Sequence, residues 1–517
     1  MTQGGCATYP KGMSKLKGMT EFELKFEVPS ACLKSVATAV LQGKVIRQRL
    51  QASYFDTVDG ALAMRGIVLR MRKEGRRWVQ TAKGPTADLL ERMEHNVALL
   101  SQGKGVVPIP DLSRHRGTPV GKAIAKALGR KNDALFPGLV VVYSTDIHRS
   151  TRCVVHGGST VEVALDQGRV FADGRSQAIC ELEFELKNGT PLDVVALARQ
   201  WCTGHKLWLS SITKSMKGQR LRSAAAFGAA VLADAPKFSR QATGEEMTTA
   251  VVQSCLRQIL PNASELASGS NDPNHVHQFR VGIRRLRTAL RELGGLTGAI
   301  HPEWETVLVQ VFRALGRHRD HTHQALFLQP QLLAAGGPVV HLNDTGDSIP
   351  DPGETARAPD FQSVLLDLAG FVHRGTQQGA PNNGAVPGEL KKTLSVRLEK
   401  LHSRALRDGK KFLALDEEQQ HAVRKRLKRL RYLLEFVAPL FVARKVNGMT
   451  AALKPAQDAL GLYNDELMAL RAWRALATED CNAWFGIGWF TARQQPNAGC
   501  CLMEIKVFAA IKPFWRG

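Results

Sequence analysis

The sequence predicts an α+β protein in two regions: an N-terminal, mostly antiparallel sheet with flanking helices, then an all-α helical bundle with an internal two-fold repeat. Three observations carry this. Short runs alternating polar and apolar residues extend from Glu21 to about Val163 and recur at Cys180. After about residue 220, Ala/Leu/Arg-rich segments with helical spacing replace them, and no strand signal remains. Within that helical region a single basic pattern occurs twice.

The strand runs are EFELKFEV from Glu21, IVLRMRKE from Ile67, RRWVQTAK from Arg76, RMEHNVAL from Arg92, TVEVALD from Thr160 and CELEFEL from Cys180. Turns such as Val58-Asp59-Gly60 and Ala172-Asp173-Gly174 separate them. Residues 31–41 and 191–203 read as helices, and composition places a boundary within 223–244. Residues 334–359 and 376–387 are rich in Gly, Pro, Asp and Asn and read as loops. The segment after about Gln494 follows no recognisable pattern.

A chain of 517 residues exceeds the size at which one core stops growing, so at least two domains are expected. Against 70 Lys+Arg stand 47 Asp+Glu, and the net +23 predicts a polyanionic partner: nucleic acid, anionic membrane or polyphosphate. Nine scattered cysteines without CxxC spacing argue against a disulfide framework and a zinc site, and no apolar run reaches membrane-span length. A reducing, cytoplasmic setting is expected, with association to polyphosphate deposits as one option.

Strand side chains alternate faces, so Glu21, Glu23 and Lys25 share one face, as do Glu181, Glu183 and Glu185, Glu162 with Asp166, and Arg70 with Arg72. One such strand is an ordinary solvated sheet face. Segregation argues for more: acids dominate the first and last strands, while Arg70, Arg72, Lys83, Arg92 and Arg149 occupy the middle ones. If those faces converge inside a closed sheet, an acid wall meets a cationic wall. Carboxylates without His or Cys suit a hard ion, Mg²⁺ or Mn²⁺, and Arg with Lys suits phosphate oxygens.

Glu21-Phe22-Glu23-Leu24-Lys25 resembles the ExExK signature of CYTH domains, the triphosphate tunnel metalloenzymes. The resemblance runs on through Tyr54 to Thr57, Leu69 to Arg72, Lys83, Glu91 to Glu94, Ser144 to Arg149, Ala164 to Gly168, Cys180 to Glu185 and Ser211 to Ser215, covering about 19–220. It implies an eight-stranded antiparallel tunnel of the inorganic triphosphatase type. It further implies Glu21, Glu23, Asp166, Glu181, Glu183 and Glu185 as the metal-binding set, with Glu21, Glu23, Lys25 and Lys83 catalytic. Arg70, Arg72, Arg92, Arg149 and Lys214 would hold the substrate. Which of Glu181, Glu183 and Glu185 ligate, and whether Asp166 ligates or orients, stays open. The Met216-Lys217-Gly218-Gln219 that follows departs from the family's usual ending and weakens the assignment of Lys214.

In the helical region, the fourteen residues from His277 to Leu290 align without gaps on His421 to Leu434, and Leu315-Gly316…Asp320 recurs as Leu460-Gly461…Asp465. Helical spacing puts His277, Arg280, Arg284 and Arg287 on one stripe, and His421, Arg424, Lys428 and Arg431 on another. A single basic stripe is usually a solvated face; its repetition, with almost no acid in it, suggests retained function. The repeat resembles the CHAD domain over about 243–480, which implies a polyphosphate-binding bundle. Asp320 and Asp465 read as structural caps or pairing partners.

The expected function is metal-dependent hydrolysis of inorganic triphosphate to diphosphate and phosphate, with long-chain polyphosphate bound by the helical region. A nucleotide or thiamine triphosphatase, or an adenylate cyclase, is the enzymatic rival, since the resembled family includes them. A non-catalytic polyphosphate-binding or granule-associated protein is the second. Nucleic acid is disfavoured, because aromatics are 6% of residues and none flanks the stripes in a stacking arrangement.

Overall fold

A computed structural model describes residues 20–75, 77–99, 107–129, 138–340, 349–374 and 387–516. The expected loop at 376–387, save its last residue, lies outside the described residues, as do 341–348. The chain divides into two compact units: residues 1–194 with 213–226, and 195–212 with 227–517.

The first unit is a closed antiparallel barrel. Its strands are β1 (Thr20–Glu27), β2 (Ile46–Asp56), β3 (Val68–Glu74), β4 (Arg77–Pro85), β5 (Glu91–Leu99), β6 (Val140–His156), β7 (Ser159–Ala172) and β8 (Arg175–Asn188). They pair in the ring β1-β8-β7-β6-β2-β3-β4-β5, and β5 returns to β1 through Glu21 opposite Arg92. Closure removes sheet edges and gives every strand an inner and an outer face. Two-residue hairpins keep the long strands in register: Gly157-Gly158 joins β6 to β7, and Asp173-Gly174, both at positive φ, joins β7 to β8.

Helices α1 (Leu33–Val40) and α2 (Pro119–Leu128) cover the outside, and α3 (Pro191–His205) follows β8. Phe55, Leu69, Met71, Val120 and Ile124 form one core between the outer sheet face and α2. A second core, of Leu50, Ala52, Tyr54, Tyr143, Ile147 and Val170, lies on the inner face, where Leu221 of α4 (Lys214–Ser223) packs against it. The barrel interior is therefore apolar along some of its length and charged along the rest. The close fit of α4 depends on Gly218, where a Cβ would stand 2.3 Å from the Tyr143 ring.

The second unit is helical. It contains α5 (Gly244–Ala267), α6 (Pro273–Leu293), α7 (Glu303–His323), α8 (Gln329–Ala334), α9 (Pro352–Arg357) and α10 (Pro359–Arg374). Then come α11 (Pro387–Gly409), α12 (Glu417–Val437), α13 (Ala443–Leu476) and α14 (Ala483–Ala509). Thr243 with Glu246, and Asp416 with Gln419, form capping boxes that start α5 and α12; Asp272 with Pro273 starts α6. The repeated stripes lie on α6 and α12, which pack against each other. No described helix is long and apolar enough to cross a membrane.

Candidate functional site

Strand register decides which side chains share the barrel interior. Directly opposed residues of an antiparallel pair lie on one face. Glu23 opposes Glu185, Lys25 opposes Glu183, and Asp166 opposes both Glu181 and Arg149. Lys83 opposes Glu94, and Glu21 opposes Arg92. Followed around the ring, these pairs put every acid and cation proposed from the strands on the inner face, with Arg70 and Arg72 carried there by β3.

Two clusters form there. In the first, Lys214 reaches Asp166 at 2.9 Å, Glu181 at 2.7 Å and Glu183 at 2.6 Å. Thr213 caps α4 by accepting the Met216 N–H, which makes Lys214 the first residue of that helix and aims it at β7 and β8. One turn on, Lys217 holds Glu181 and Glu27, both at 2.8 Å. Arg149 donates to both oxygens of Asp166 at 2.6 Å and pairs with Glu183. Burial resists ionisation of Glu181, yet Lys214, Lys25 and Lys217 hold it well below the carboxylate range. Glu183 is held at about 2: burial raises it, and Lys214 with Arg149 outweigh that.

The second cluster lies on β1, β4 and β5. Lys83 pairs with Glu21 at 3.0 Å and with Glu94. Burial and a hydrogen bond to Glu94 push Glu21 up, while Glu94, for which burial acts the other way, is held below the carboxylate range by Glu21 and by Lys83 and Arg70. The Glu23 carboxylate makes no hydrogen bond or ion pair with a described residue; burial and then Glu183 push its pKa upward. The Nε donors of Arg70 and Arg72 are buried without a hydrogen-bond partner among the described residues, although Arg72 pairs with Glu74 through its outer nitrogen.

The donor set fits a hard divalent ion in kind: oxygen ligands alone, with no described cation within ion-pair distance of Glu23. No three described His, Cys, Asp or Glu side chains converge at metal-binding spacing. The reason is local, because Lys214 fills the meeting point of Asp166, Glu181 and Glu183. Lys187 pairs with Glu185 at 2.5 Å and with Glu162 at 3.5 Å.

In the helical unit both stripes reach one cleft of about 590 Å³. Arg280, Arg284 and Arg287 of α6 enter it from one side, and His421, Arg424 and Lys428 of α12 from the other. His277 is exposed, and neither it nor Arg431 lines the cleft. The stripes are also less free of acid than their own segments suggested: Glu305 of α7 pairs Arg287 at 2.7 Å, and Glu435 pairs Arg431 at 2.9 Å. Arg280 is buried, with its guanidinium donating to the Leu315 carbonyl at 3.0 Å. The glycine of the hexad makes that possible, since a Cβ on Gly316 would stand 3.2 Å from the Arg280 guanidinium. Burial, then neighbouring cations against Asp320, lowers Arg280 to about 10, which still leaves it charged at neutral pH. Lys428 is lowered to about 8 by burial and by Arg424, Arg284 and Arg431. Asp320 and Asp465 flank Arg319 at 3.5 and 3.4 Å, a pairing role.

Sequence reasoning missed several of these groups. Glu94 was legible as the residue two beyond Arg92 on the same face, and Lys217 as the residue one turn beyond Lys214. Arg319 and Phe312, which meet the stripes from α7, left no sequence signal.

Residues 19–218 match the CYTH domain and residues 250–474 the CHAD domain. An inorganic triphosphatase of Haemophilus influenzae is 28% identical over 181 residues, covering 33% of this chain and 45% of that protein. The chain thus spans less than half the length of that relative. A solved CHAD domain from Ricinus communis is similar over 55% of this chain and 98% of its own, at 22% identity and TM-score 0.44. The Hippeastrum protein HpAC1, described as having a dominant triphosphatase activity, is similar over 40% of this chain and 97% of its own, at 18% identity and TM-score 0.30. The chain therefore carries a CYTH domain at residues 19–218 and a CHAD domain at residues 250–474.

Proposed function

We propose that the barrel hydrolyses the terminal phosphoryl group of inorganic triphosphate and that the helical cleft binds long-chain polyphosphate. One observation carries the first half: the buried Nε donors of Arg70 and Arg72, without a hydrogen-bond partner among the described residues, stand on the inner face of the barrel that also carries Glu23, a carboxylate without an ion pair to any described residue. Buried donors without acceptors are costly, and phosphate oxygens would satisfy them. A Mg²⁺ or Mn²⁺ ion would be held by Glu21 and Glu23 with help from Glu183 and Glu185. Such an ion supplies charge neutralisation at the phosphates and eases ionisation of the attacking water. Arg70, Arg72, Arg92 and Lys83 would bind and orient the chain of phosphates and stabilise charge developing on the transferred group. Lys25, Arg149, Lys214 and Lys217 would hold the acid wall in place through their pairs with Asp166, Glu181 and Glu183.

A phosphate-release assay over tripolyphosphate, ATP, thiamine triphosphate and long polyphosphate, with Mg²⁺ or Mn²⁺, tests this. Tripolyphosphate should be turned over fastest; absence of release from every substrate would leave only a binding protein.

For the cleft, replacing Arg284, Arg424 and Lys428 together by Gln should remove long-chain polyphosphate binding and leave tripolyphosphate turnover unchanged. Arg280, which also lines the cleft, is left in place because its donation to the Leu315 carbonyl ties α6 to α7 and its loss would not report binding alone. Binding by the parent chain should weaken steeply with salt, as several phosphates exchange counterions for side chains. Binding should also take up protons. Lys428 titrates near pH 8, and a bound polyanion raises that value, so affinity falls as pH rises from 7 to above 8. Calorimetry in two buffers of different ionisation enthalpy reads the uptake directly. Equal heats in both buffers across that range would contradict it.

A further inference from the structure

We propose that Phe312 of α7 is the positioning residue that holds the arginines of α6 in their binding arrangement, acting through its ring face rather than through packing. This rests on the reading of the cleft as a polyanion site. The guanidinium carbons of Arg280, Arg284 and Arg287 lie over the Phe312 ring at 4.7, 5.2 and 5.8 Å from its centroid. All are within the range at which a cation is drawn to the negative face of an aromatic ring. Three like charges on successive turns repel one another, and Glu305 neutralises only the last of them directly. The ring gives all three a shared attraction without adding a carboxylate that would repel the incoming phosphates.

The repeat supplies an independent argument. The hexads align Leu315 with Leu460, so the residue three before each aligns Phe312 with Gln457. Gln457 also meets the last cation of its own stripe: Arg431 donates to its amide oxygen at 3.4 Å, while its own N–H donates to the Leu427 carbonyl at 2.8 Å. The same position in both copies therefore anchors the final stripe arginine, by a ring face in one and by an amide in the other. The ring gathers three guanidiniums where the amide holds one, so the α6 side of the cleft is the pre-arranged side. Pre-arrangement lowers the ordering cost of binding, which Arg and Lys side chains otherwise meet on contact.

The test installs phenylalanines with one, two or three ring fluorines at position 312 of the full chain. Fluorine drains the negative ring face with little change of shape. Affinity for long-chain polyphosphate should fall stepwise, by about tenfold at three fluorines, while the salt dependence keeps its slope because the phosphate contacts are unchanged. Phe312→Tyr should keep the affinity and Phe312→Leu should lose it. In the ligand-free chain, ¹⁵N NMR of the guanidinium groups of Arg280, Arg284 and Arg287 should report faster rotation with each fluorine. Equal affinity and equal rotation across the series would overturn the proposal. A parent chain that fails to bind polyphosphate would instead overturn the reading of the cleft, and the rotation rates would still decide the role of Phe312.

Discussion

Glu23→Gln leaves the barrel folded and lowers metal-dependent tripolyphosphate hydrolysis by on the order of a thousandfold. The substitution removes one charge and almost no volume. Its carboxylate has no hydrogen bond or ion pair with a described residue, so no structural pair is broken. Folding is in fact helped, since a neutral amide costs less to bury than a carboxylate raised by its surroundings. The diagnostic result is opposite signs: thermal stability level or higher, turnover nearly gone at saturating metal. Turnover close to that of the parent would remove Glu23 from the metal site. Glu21→Gln is a less clean probe, because Glu21 pairs with Lys83 and interacts with Glu94.

Lys214→Met has its largest effect on stability, about 3–5 kcal/mol, because it removes the cation that Asp166, Glu181 and Glu183 share and leaves them to Arg149, Lys25 and Lys217. Deleting one member of a buried ionic cluster costs more than the cluster contributes as a whole. The acid dependence separates this from a simple packing defect. Glu183 has its folded pKa lowered to about 2, so its stabilising share is complete above the ordinary carboxylate value and is lost as pH falls toward 2. Without Lys214 the folded pKa rises, and acid unfolding should begin at higher pH than in the parent. Chemical denaturation between pH 3 and 7 reads both effects. A variant with parental stability and an unmoved acid limb would show that Lys214 does not hold the acid wall.

Alternation made β1, β3, β4, β5, β7 and β8 visible, and the resemblance supplied closure. β2 and β6 went unnamed as strands because charges such as Arg47, Arg49, Asp146 and His148 interrupt the apolar pattern, Arg49 and Asp146 being paired across the two strands. α14 went unread for a different reason. Gly486, Gly488, Pro496 and Gly499 look like breaks, yet α14 runs through them, and Gly486 lets the helix approach Trp473, where a Cβ would stand 3.1 Å from the indole. Tertiary contact overrode local propensity there. In the site, residue identity and strand face could be read from spacing. Which acid would meet which cation could not, because Lys214 and Lys217 arrive from α4, an element the sequence pattern did not announce.

The order in which the barrel's elements follow one another along the chain bears on its synthesis. β1 must wait for β5 before one of its edges is paired and for β8 before the other is, so the ring closes through contacts distant in sequence, which slows folding. The lysines that balance Asp166, Glu181 and Glu183 come later still, at 214 and 217. On the ribosome, a nascent chain that has just completed β8 has Arg149 and Lys25 to pair with those acids but still lacks Lys214 and Lys217. The barrel can settle only after α4 has emerged, which makes a pause before residue 217 more hazardous to this protein than one after it.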